Sequence, residues 1–158
     1  AADTKVKVIF VPCYLDGKDG IVNMEYYDWV LGNDLSVYSS YYEPWGYTPL
    51  ESIAFRVPTI TTDLAGFGLW ANSIKGGYSE LKGGVKVIHR SDYNFSEVAD
   101  AIKDTVSEFS AMSDSEIKTI RKRAADLAEK ALWKHFIQYY YEAYDIALRN
   151  AERRLLNR

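Results

Sequence analysis

The stretch LSVYSSYYEPWGYTPLESIAFRVPTITTDLAGFG, residues 35–68, decides the fold because it repeats the order strand, loop, helix. A helix is predicted from about Thr48 to Phe55, between two strand patterns. The whole chain contains four segments with the apolar, β-branched pattern of strands: residues 6–11, 35–38, 57–62 and 85–89. Strands that alternate with helices predict an α/β fold, in which a parallel sheet carries helices on its faces. Its strand-to-helix loops share the carboxyl edge, where ligands of such sheets bind.

Helix patterns fill the rest of the chain, and several have capping residues at their start. Asn23 is predicted to cap the segment MEYYDWVL, and a short helix is predicted within DLAGFGLWANSI. Asp92 or Asn94 is predicted to cap SEVADAIKDTVSEF. Ser113 and Glu116 have the spacing of a capping box before a further helix. The second half of the chain is therefore predicted to be helical.

A last helix is predicted from Trp133 toward Leu155, with one apolar stripe. The stripe consists of residues at helical spacing: Trp133, Ile137, Tyr140, Tyr144, Ala147, Ala151 and Leu155. Tyr139 and Tyr141 lie off it, in a chain that is 15% aromatic. Two interpretations stay open, partial burial against the sheet or packing on something outside this chain. Dimers or larger homo-oligomers through this face are expected.

The composition excludes several classes of function. The 158 residues carry a formal charge of −3, and the basic residues are scattered, so no nucleic-acid partner is expected. Cys13 is the one cysteine, which excludes an intrachain disulfide and a multi-cysteine zinc site. The sequence has no apolar run long enough to span a membrane and no signal-peptide pattern at its start. No membrane partner and a cytoplasmic location are therefore expected.

The segment EPWGYTPLE, residues 43–51, places two carboxylates around a predicted helix start. Thr48 has the position of an N-cap and Glu51 falls three residues later, which predicts a capping box. The N–H groups of such a start lack intrahelical partners and favour phosphate. Gly46 would let a diphosphate approach the backbone closely, with Glu43 reaching past it. The alternative is that Glu51 only caps the helix and that Glu43 is a solvated loop residue.

Residues 39–68 resemble the signature of glycogen synthases, the retaining glycosyltransferases of the eukaryotic-like type. The resemblance rests on E-P-W-G-Y-T-P-x-E followed by T-T-x-x-x-G-F-G. The E-x7-E pattern within it is typical of retaining transferases with two Rossmann-like halves. The segments VKVIFVPCYL and YYDWVLGNDLSVY resemble the preceding part of the same family. The resemblance covers about residues 5–70 well and the helical remainder loosely.

The resemblance implies a role for each residue of this motif. Glu43 resembles the carboxylate that holds the donor glucose hydroxyls beside the reacting carbon, and it is the candidate catalytic residue. Gly46, Tyr47 and Thr48 resemble the turn whose amides bind the donor phosphates. Trp45 resembles the aromatic residue packed beside that site.

Further residues are placed around the donor nucleoside by the resemblance. Glu51 resembles the carboxylate that binds the ribose, and Tyr14 and Tyr26 fall where the family has aromatic residues around the uracil. The alternative for Tyr26 is a core position at the start of an amphipathic helix. His89 and His135 have no partner pattern and are interpreted as structural.

The resemblance also implies an incomplete enzyme. The resemblance implies two domains that face each other across a cleft, and the acceptor-binding domain comes first in the chain. This sequence contains neither that half nor the G-R…K segment that supplies an Arg and a Lys to the leaving diphosphate. Residues 1–158 are expected to be a partial nucleotide-sugar-binding domain of a two-domain GT-B glycosyltransferase. A Rossmann-like sheet part over about 5–90 and a helical part over about 94–158 would pair with the missing N-terminal half.

The implied reaction is the transfer of glucose, with retention, from a nucleotide sugar to an α-1,4-glucan. UDP-glucose is the expected donor, no cofactor or metal is implied, and the isolated chain is expected to be inactive. One alternative is the donor half of another retaining transferase, of the sucrose or trehalose type. A second alternative is a noncatalytic binding or assembly module. Trp45, Gly46 and Tyr47 argue against the first, and the pair Glu43 and Glu51 argues against the second for an intact parent protein.

Overall fold

A computed structural model describes residues 6–77 and 79–156. The chain divides into two compact units, of which one ends at Asp34 and the other begins at Leu35. The sheet lies in the second unit. The predicted division into a sheet part and a helical part stays a prediction.

A parallel three-stranded sheet forms the middle of the second unit. Its strands, in their order across the sheet, are β1 Ser36–Val37, β2 Thr59–Thr62 and β3 Val85–Ile88. Ser36 pairs with Thr59, which pairs with Val85 on its other side. The predicted α/β class is confirmed, as are the three strand patterns of this unit.

Helices connect and follow the strands. The described residues form α1 Tyr26–Leu31, α2 Tyr47–Ala54, α3 Gly66–Ser73, α4 Phe95–Ser110, α5 Asp114–Lys130 and α6 Trp133–Leu156, with a 3₁₀ turn at Leu81–Gly83. The predicted helical second half is confirmed. Asn94 occupies the N-cap position of α4, although its side-chain oxygen accepts from the N–H of Ser91 (2.7 Å) instead of capping the helix.

The core lies on both faces of the sheet. One cluster joins the sheet to α2, α3 and α5; its buried residues are Ile53, Phe67, Ala71, Val85, Ala124 and Leu127. On the other face, Ile60 and Ile88 pack with Val98 of α4. Side chains alternate between the faces along a strand, so Val85 and Ile88 of β3 belong to different clusters. The sheet is therefore covered on both sides, as the alternation of strands and helices predicts.

The strand predicted at residues 6–11 is wrong, because this segment is irregular in the structure. Val8 and Phe10 are 88% and 78% exposed. A β-branched apolar run favours a strand only where neighbouring strands pair with it and cover its side chains. Among the described residues of the first unit, no strand is present that could pair with this segment.

The predicted cap of α1 is also wrong. The helix begins two residues later than predicted, with Glu25 at the N-cap position. Asn23 has a positive φ of 54°, and its side-chain oxygen accepts from the N–H of Gly20 (2.8 Å). Asp19 accepts from the N–H groups of Ile21, Val22 and Asn23, and these bonds lower its pKa, with that from Val22 the largest cause. Asn23 therefore serves the preceding turn and is unavailable to the helix.

Helix α6 buries no described side chain, although it is 24 residues long. Tyr139 and Tyr141 are both exposed, which argues against the interpretation that they are partly buried on the sheet. Phe136 and Ile137, near the start of the helix, are half-buried. Among the described residues, no helix combines the length and apolar character required to cross a membrane.

Phe67 is the largest fully buried side chain among the described residues, and its truncation tests the core of the second unit. Phe67→Ala is expected to lower the free energy of unfolding by about 3–5 kcal/mol, because it removes apolar contacts and leaves a cavity. Urea denaturation measures this change. The control is Leu69→Ala in the same helix, where the side chain is 58% exposed and a change within about 0.5 kcal/mol is expected. Equal losses in the two variants would contradict this description of the core.

The capping box of α5 is confirmed. The N–H of Ser113 donates to Glu116 Oε2 (2.9 Å), and the Ser113 hydroxyl donates to the same oxygen (2.6 Å). These two bonds, the side-chain bond first, lower the pKa of Glu116 from 4.5. A lowered pKa in the folded state means that the carboxylate stabilises α5 above about pH 4.5 and loses this contribution as the pH falls through the folded pKa.

Glu116→Gln tests this pH dependence. Wild type should be more stable than Glu116→Gln at pH 7, and the difference should shrink as the pH is lowered to 3, because the carboxylate becomes protonated as the pH falls through its folded pKa. Urea denaturation at both pH values measures the difference. Glu142→Gln on the exposed surface of α6 controls for the removal of one charge. An equal difference at pH 7 and pH 3 would contradict the capping role of the ionised carboxylate.

Candidate functional site

The loop of residues 39–46, which we call the Glu43 loop, joins β1 to α2 at the carboxyl edge of the sheet. Gly46 occupies the N-cap position of α2 with φ 104° and ψ 79°, a conformation that favours glycine. The predicted N-cap at Thr48 and its capping box with Glu51 are therefore wrong. The left-handed turn at Gly46 makes Tyr47 the first helical residue, so Thr48 already lies inside the helix.

This start of α2 leaves its first amides to other ligands. Among the described residues, no side-chain cap bonds to the start of the helix. The N–H groups of Tyr47 and Thr48 belong to the first turn, where helix geometry provides no acceptor, and Pro49 has no N–H. Tyr47 is exposed and Thr48 is half-buried. The positive end of the helix dipole is thus available to an anion at this position.

The carboxylate of Glu43 lies beside the start of α2. Glu43 Oε2 lies 3.6 Å from the position that a Cβ atom would occupy at Gly46. The hydroxyl of Ser40 donates to the same oxygen (3.3 Å). Glu43 is half-buried, and its negative charge is favourable beside the positive end of the helix. The structure therefore brings together Glu43 and the glycine turn, two parts of the predicted site.

Trp45 anchors the Glu43 loop in an aromatic cluster. Its ring centroid lies 6.1 Å from that of Phe67, 5.7 Å from that of Trp70 and 5.5 Å from that of Phe136. Its contacts with Phe67 and Phe136 are edge-to-face, the arrangement that aromatic pairs favour. The ring is half-buried. Trp45 thus supports the backbone between Glu43 and Gly46.

Backbone bonds hold the Glu43 loop against the start of α3. The N–H of Gly66 donates to the carbonyl of Glu43 (3.1 Å), and the N–H of Phe67 donates to that of Trp45 (2.6 Å). At Gly66 the two segments approach so closely that a Cβ atom would be 2.1 Å from the carbonyl oxygen of Pro44. Glycine is therefore required at this position by the close approach of the two backbone segments.

Gly66→Ala tests this close approach. The methyl group is expected to push the Glu43 loop from α3 and to cost about 1–3 kcal/mol of stability. Chemical denaturation measures the cost. Gly32→Ala is the matched control, because its Cβ would meet its nearest neighbour, the carbonyl oxygen of Trp29, at an ordinary 3.5 Å. A Gly66→Ala protein as stable as Gly32→Ala would show that the two segments have room to separate.

Glu51 lies one turn into α2 and lines a pocket of about 510 Å³ between α2 and α5. Asp126, Glu129 and Arg56 also line this pocket. Its apolar wall includes residues of both helices: Leu50, Ala54, Ala125, Ala128, Ala131 and Leu132. A carboxylate in such a pocket can accept hydrogen bonds from neutral hydroxyl groups.

Tyr14 and Tyr26 belong to the first unit and line a pocket of about 470 Å³ within it. Tyr14 is 95% exposed, whereas Tyr26 is half-buried with its ring centroid 5.4 Å from that of Tyr27. Trp29 and Cys13 line the same pocket. The roles of Tyr14 and Tyr26 around a base stay predictions.

The sequence interpretation missed a group of charged residues at the carboxyl edge. Asp63 follows β2, and its two oxygens bind Nδ1 of His89 (2.6 Å) and the N–H of Arg90 (2.9 Å), which follow β3. The sequence shows no partner pattern for His89, and the structure supplies this partner in Asp63. This contact arises because β2 and β3 are adjacent strands, an order that the sequence patterns do not specify. In the described part of the chain, no group of three or more His, Cys, Asp and Glu residues could hold a metal ion.

The parallel sheet, with helices on both faces and a helix start beside Glu43 at its carboxyl edge, defines an α/β protein of the Rossmann-like class. Residues 1–155 match the family model of glycogen synthase. The chain therefore belongs to the glycogen synthase family.

Curated relatives agree with this family. The chain is 33% identical to the glycogen [starch] synthase of Neurospora crassa and to isoform 1 of that of Saccharomyces cerevisiae, over 147 residues in each case. It is 29% identical to the liver glycogen [starch] synthase of Mus musculus. Each alignment covers 93% of this chain but only 20 to 21% of the relative. The chain thus spans about a fifth of the length of these relatives.

Proposed function

We propose that this chain is the donor-binding part of a retaining glucosyltransferase that extends an α-1,4-glucan with glucose from UDP-glucose. The observation that carries the proposal is the start of α2, where Gly46 turns the chain beside Glu43 and no side chain caps the helix. Membership of the glycogen synthase family supports the reaction class. The names of the relatives supply glycogen or starch as the product.

The donor diphosphate would bind at the amides of Gly46, Tyr47 and Thr48. Phosphate oxygens are the natural acceptors for N–H groups at a helix start, and the helix dipole favours their charge. The same groups would stabilise the charge that develops on the leaving diphosphate as the donor bond breaks. Such preorganised donors are effective because they need no rearrangement during the reaction.

Glu43 would position the donor sugar. Its carboxylate lies beside the phosphate-binding turn and can accept hydrogen bonds from sugar hydroxyls. We assign it no bond to the sugar; in the proposed reaction the leaving phosphate assists attack on the same face, so configuration is retained. Glu51 would accept hydrogen bonds from the ribose. No metal or further cofactor takes part in this scheme.

The 158 residues by themselves would transfer no glucose at a measurable rate. They span only about a fifth of the relatives' length, and the proposed scheme places the acceptor-binding half elsewhere in the intact protein. Substrate positioning contributes a large part of enzymatic rate acceleration, and this part requires both substrates to be held. The chain would therefore bind a donor without completing the reaction.

A noncatalytic assembly module is the second candidate, and α6 favours it. This helix would be about 36 Å long and exposes Trp133, Tyr140 and Tyr144 along one stripe. Apolar surfaces of this kind mark interaction sites in other proteins. A homo-oligomer through α6 would be compatible with donor binding, so the two candidates differ in whether a nucleotide binds at all.

Calorimetric titration with UDP, ADP and pyrophosphate tests the proposed donor site. UDP is expected to bind more tightly than ADP, and Glu51→Gln is expected to weaken UDP binding by up to about tenfold, because the ribose hydroxyls would then bond to a neutral amide oxygen instead of a carboxylate. Pyrophosphate lacks the ribose, so its affinity should be unchanged in this variant. Glu142→Gln, on the exposed surface of α6, is the control and should retain wild-type affinity. The assembly module is favoured instead if none of the three ligands binds.

A further inference from the structure

Arg90 reaches from the end of β3 to the Glu43 loop. Its Nη1 donates to the carbonyl of Ser39 (2.6 Å), and the centre of its guanidinium lies 4.1 Å from the centroid of the Tyr41 ring. Arg90 is half-buried, and Tyr41 is 52% exposed. A guanidinium over an aromatic face combines electrostatic attraction with planar stacking. One side chain therefore holds the loop at two residues, on either side of Ser40.

Asp63 fixes the backbone from which Arg90 extends. Its Oδ1 accepts from the N–H of Arg90 (2.9 Å), its Oδ2 binds Nδ1 of His89 (2.6 Å), and its own N–H donates to the carbonyl of Ile88 (3.1 Å). Both oxygens of one carboxylate thus bind consecutive residues of the β3 exit. Hydrogen bonds to an ionised group are stronger than those between neutral groups, so the origin of the Arg90 side chain is well fixed.

Ser40 connects the residues that Arg90 holds to Glu43. The hydroxyl of Thr62 donates to the carbonyl of Ser40 (2.7 Å), and the hydroxyl of Ser40 donates to Glu43 Oε2 (3.3 Å). Thr62 is buried in β2 and cannot follow a displaced loop without leaving the sheet. A path of contacts therefore leads from β3 through Arg90 and Ser40 to the carboxylate of Glu43.

We infer, on the basis of the proposed donor site, that Arg90 is a positioning residue for Glu43. Arg90 touches Ser39 and Tyr41 and acts on the donor only through the Glu43 loop. Arg90 sets the orientation of the Glu43 carboxylate toward the sugar. The phosphate-binding turn at Gly46 is held by α3 instead, so this turn should stay in position when Arg90 is removed. Loss of Arg90 should therefore weaken recognition of the glucose and leave recognition of the nucleotide intact.

Arg90→Leu and Arg90→Lys separate this role from a general contribution to stability. Lysine retains the charge and can donate to Ser39, but it lacks the planar group that stacks on Tyr41, so Arg90→Lys should restore part of the effect. Arg153→Leu, on the exposed surface of α6, controls for the removal of an arginine. Tyr41→Leu is a second variant, which removes the stacking from the loop side if Arg90→Leu does not fold.

Hydrogen exchange on the ligand-free protein is the first readout. The N–H groups of Glu43 and Gly66 are bonded to the carbonyls of Leu64 and Glu43, so they report directly on the loop. Arg90→Leu should speed their exchange about tenfold, the factor expected from one hydrogen bond to a charged group, without changing exchange at Ile60 in β2. Unchanged exchange at both reporter amides in Arg90→Leu overturns the inference.

Calorimetric binding of UDP and UDP-glucose is the second readout. Arg90→Leu should weaken UDP-glucose about tenfold and leave UDP within about twofold of wild type. An equal loss of affinity for both ligands overturns the inference, because Arg90 would then act on the nucleotide or on the whole fold. If wild type binds neither ligand, the proposed function fails for this chain, and the exchange experiment still decides whether Arg90 holds the Glu43 loop.

Discussion

The contact of the Glu43 loop with the start of α3 is the constraint on which the rest of the second unit depends. The carbonyls of Glu43 and Trp45 accept from the N–H groups of Gly66 and Phe67, and a side chain at Gly66 would collide with Pro44. Phe67 is also at the centre of the core, where it is fully buried. The residue that anchors the hydrophobic cluster therefore also locates the loop that carries Glu43. The start of α3 therefore contributes both to the packing of the core and to the geometry of the candidate site.

This arrangement explains why α2 begins with a glycine instead of a capping side chain. A cap at Thr48 would occupy one of the first amides of the helix with a hydroxyl oxygen. The left-handed turn at Gly46 starts the helix without a side-chain cap in the described part of the chain. A ligand that supplies acceptor oxygens would compensate for the missing cap. The proposed diphosphate is such a ligand; Tyr47 is exposed and Thr48 is half-buried, whereas Gly46 is buried.

Most of the second unit could be predicted from the sequence because its strands pair with one another. The patterns at 35–38, 57–62 and 85–89 each lie in the three-stranded sheet, and the box of Ser113 and Glu116 is a purely local signal. The pattern at 6–11 failed because strand formation depends on neighbours. Local capping rules failed where another bond competed for the same residue, at Asn23, or where a glycine started the helix earlier, at Thr48.

The candidate site was only partly predictable for a similar reason. Glu43 and Gly46 are close in the sequence, and the structure places them together. Asp63 and Arg90 are 27 positions apart and meet only because β2 and β3 are adjacent strands. Their contact with Ser39 and Tyr41 depends further on the path of the Glu43 loop. Contacts of this range follow from strand order and loop geometry, which no pattern of neighbouring residues specifies.

The most direct test of the donor site is an NMR titration of the isotope-labelled chain with UDP. The account predicts that the largest changes in amide chemical shift occur at Gly46, Tyr47 and Thr48, where the diphosphate would bind. The contradicting result would place the largest changes elsewhere, for example along the groove of α5 that contains Lys118 and Lys122. Such a result would show that the nucleotide follows positive charge on the helix surface and that the start of α2 is no phosphate site.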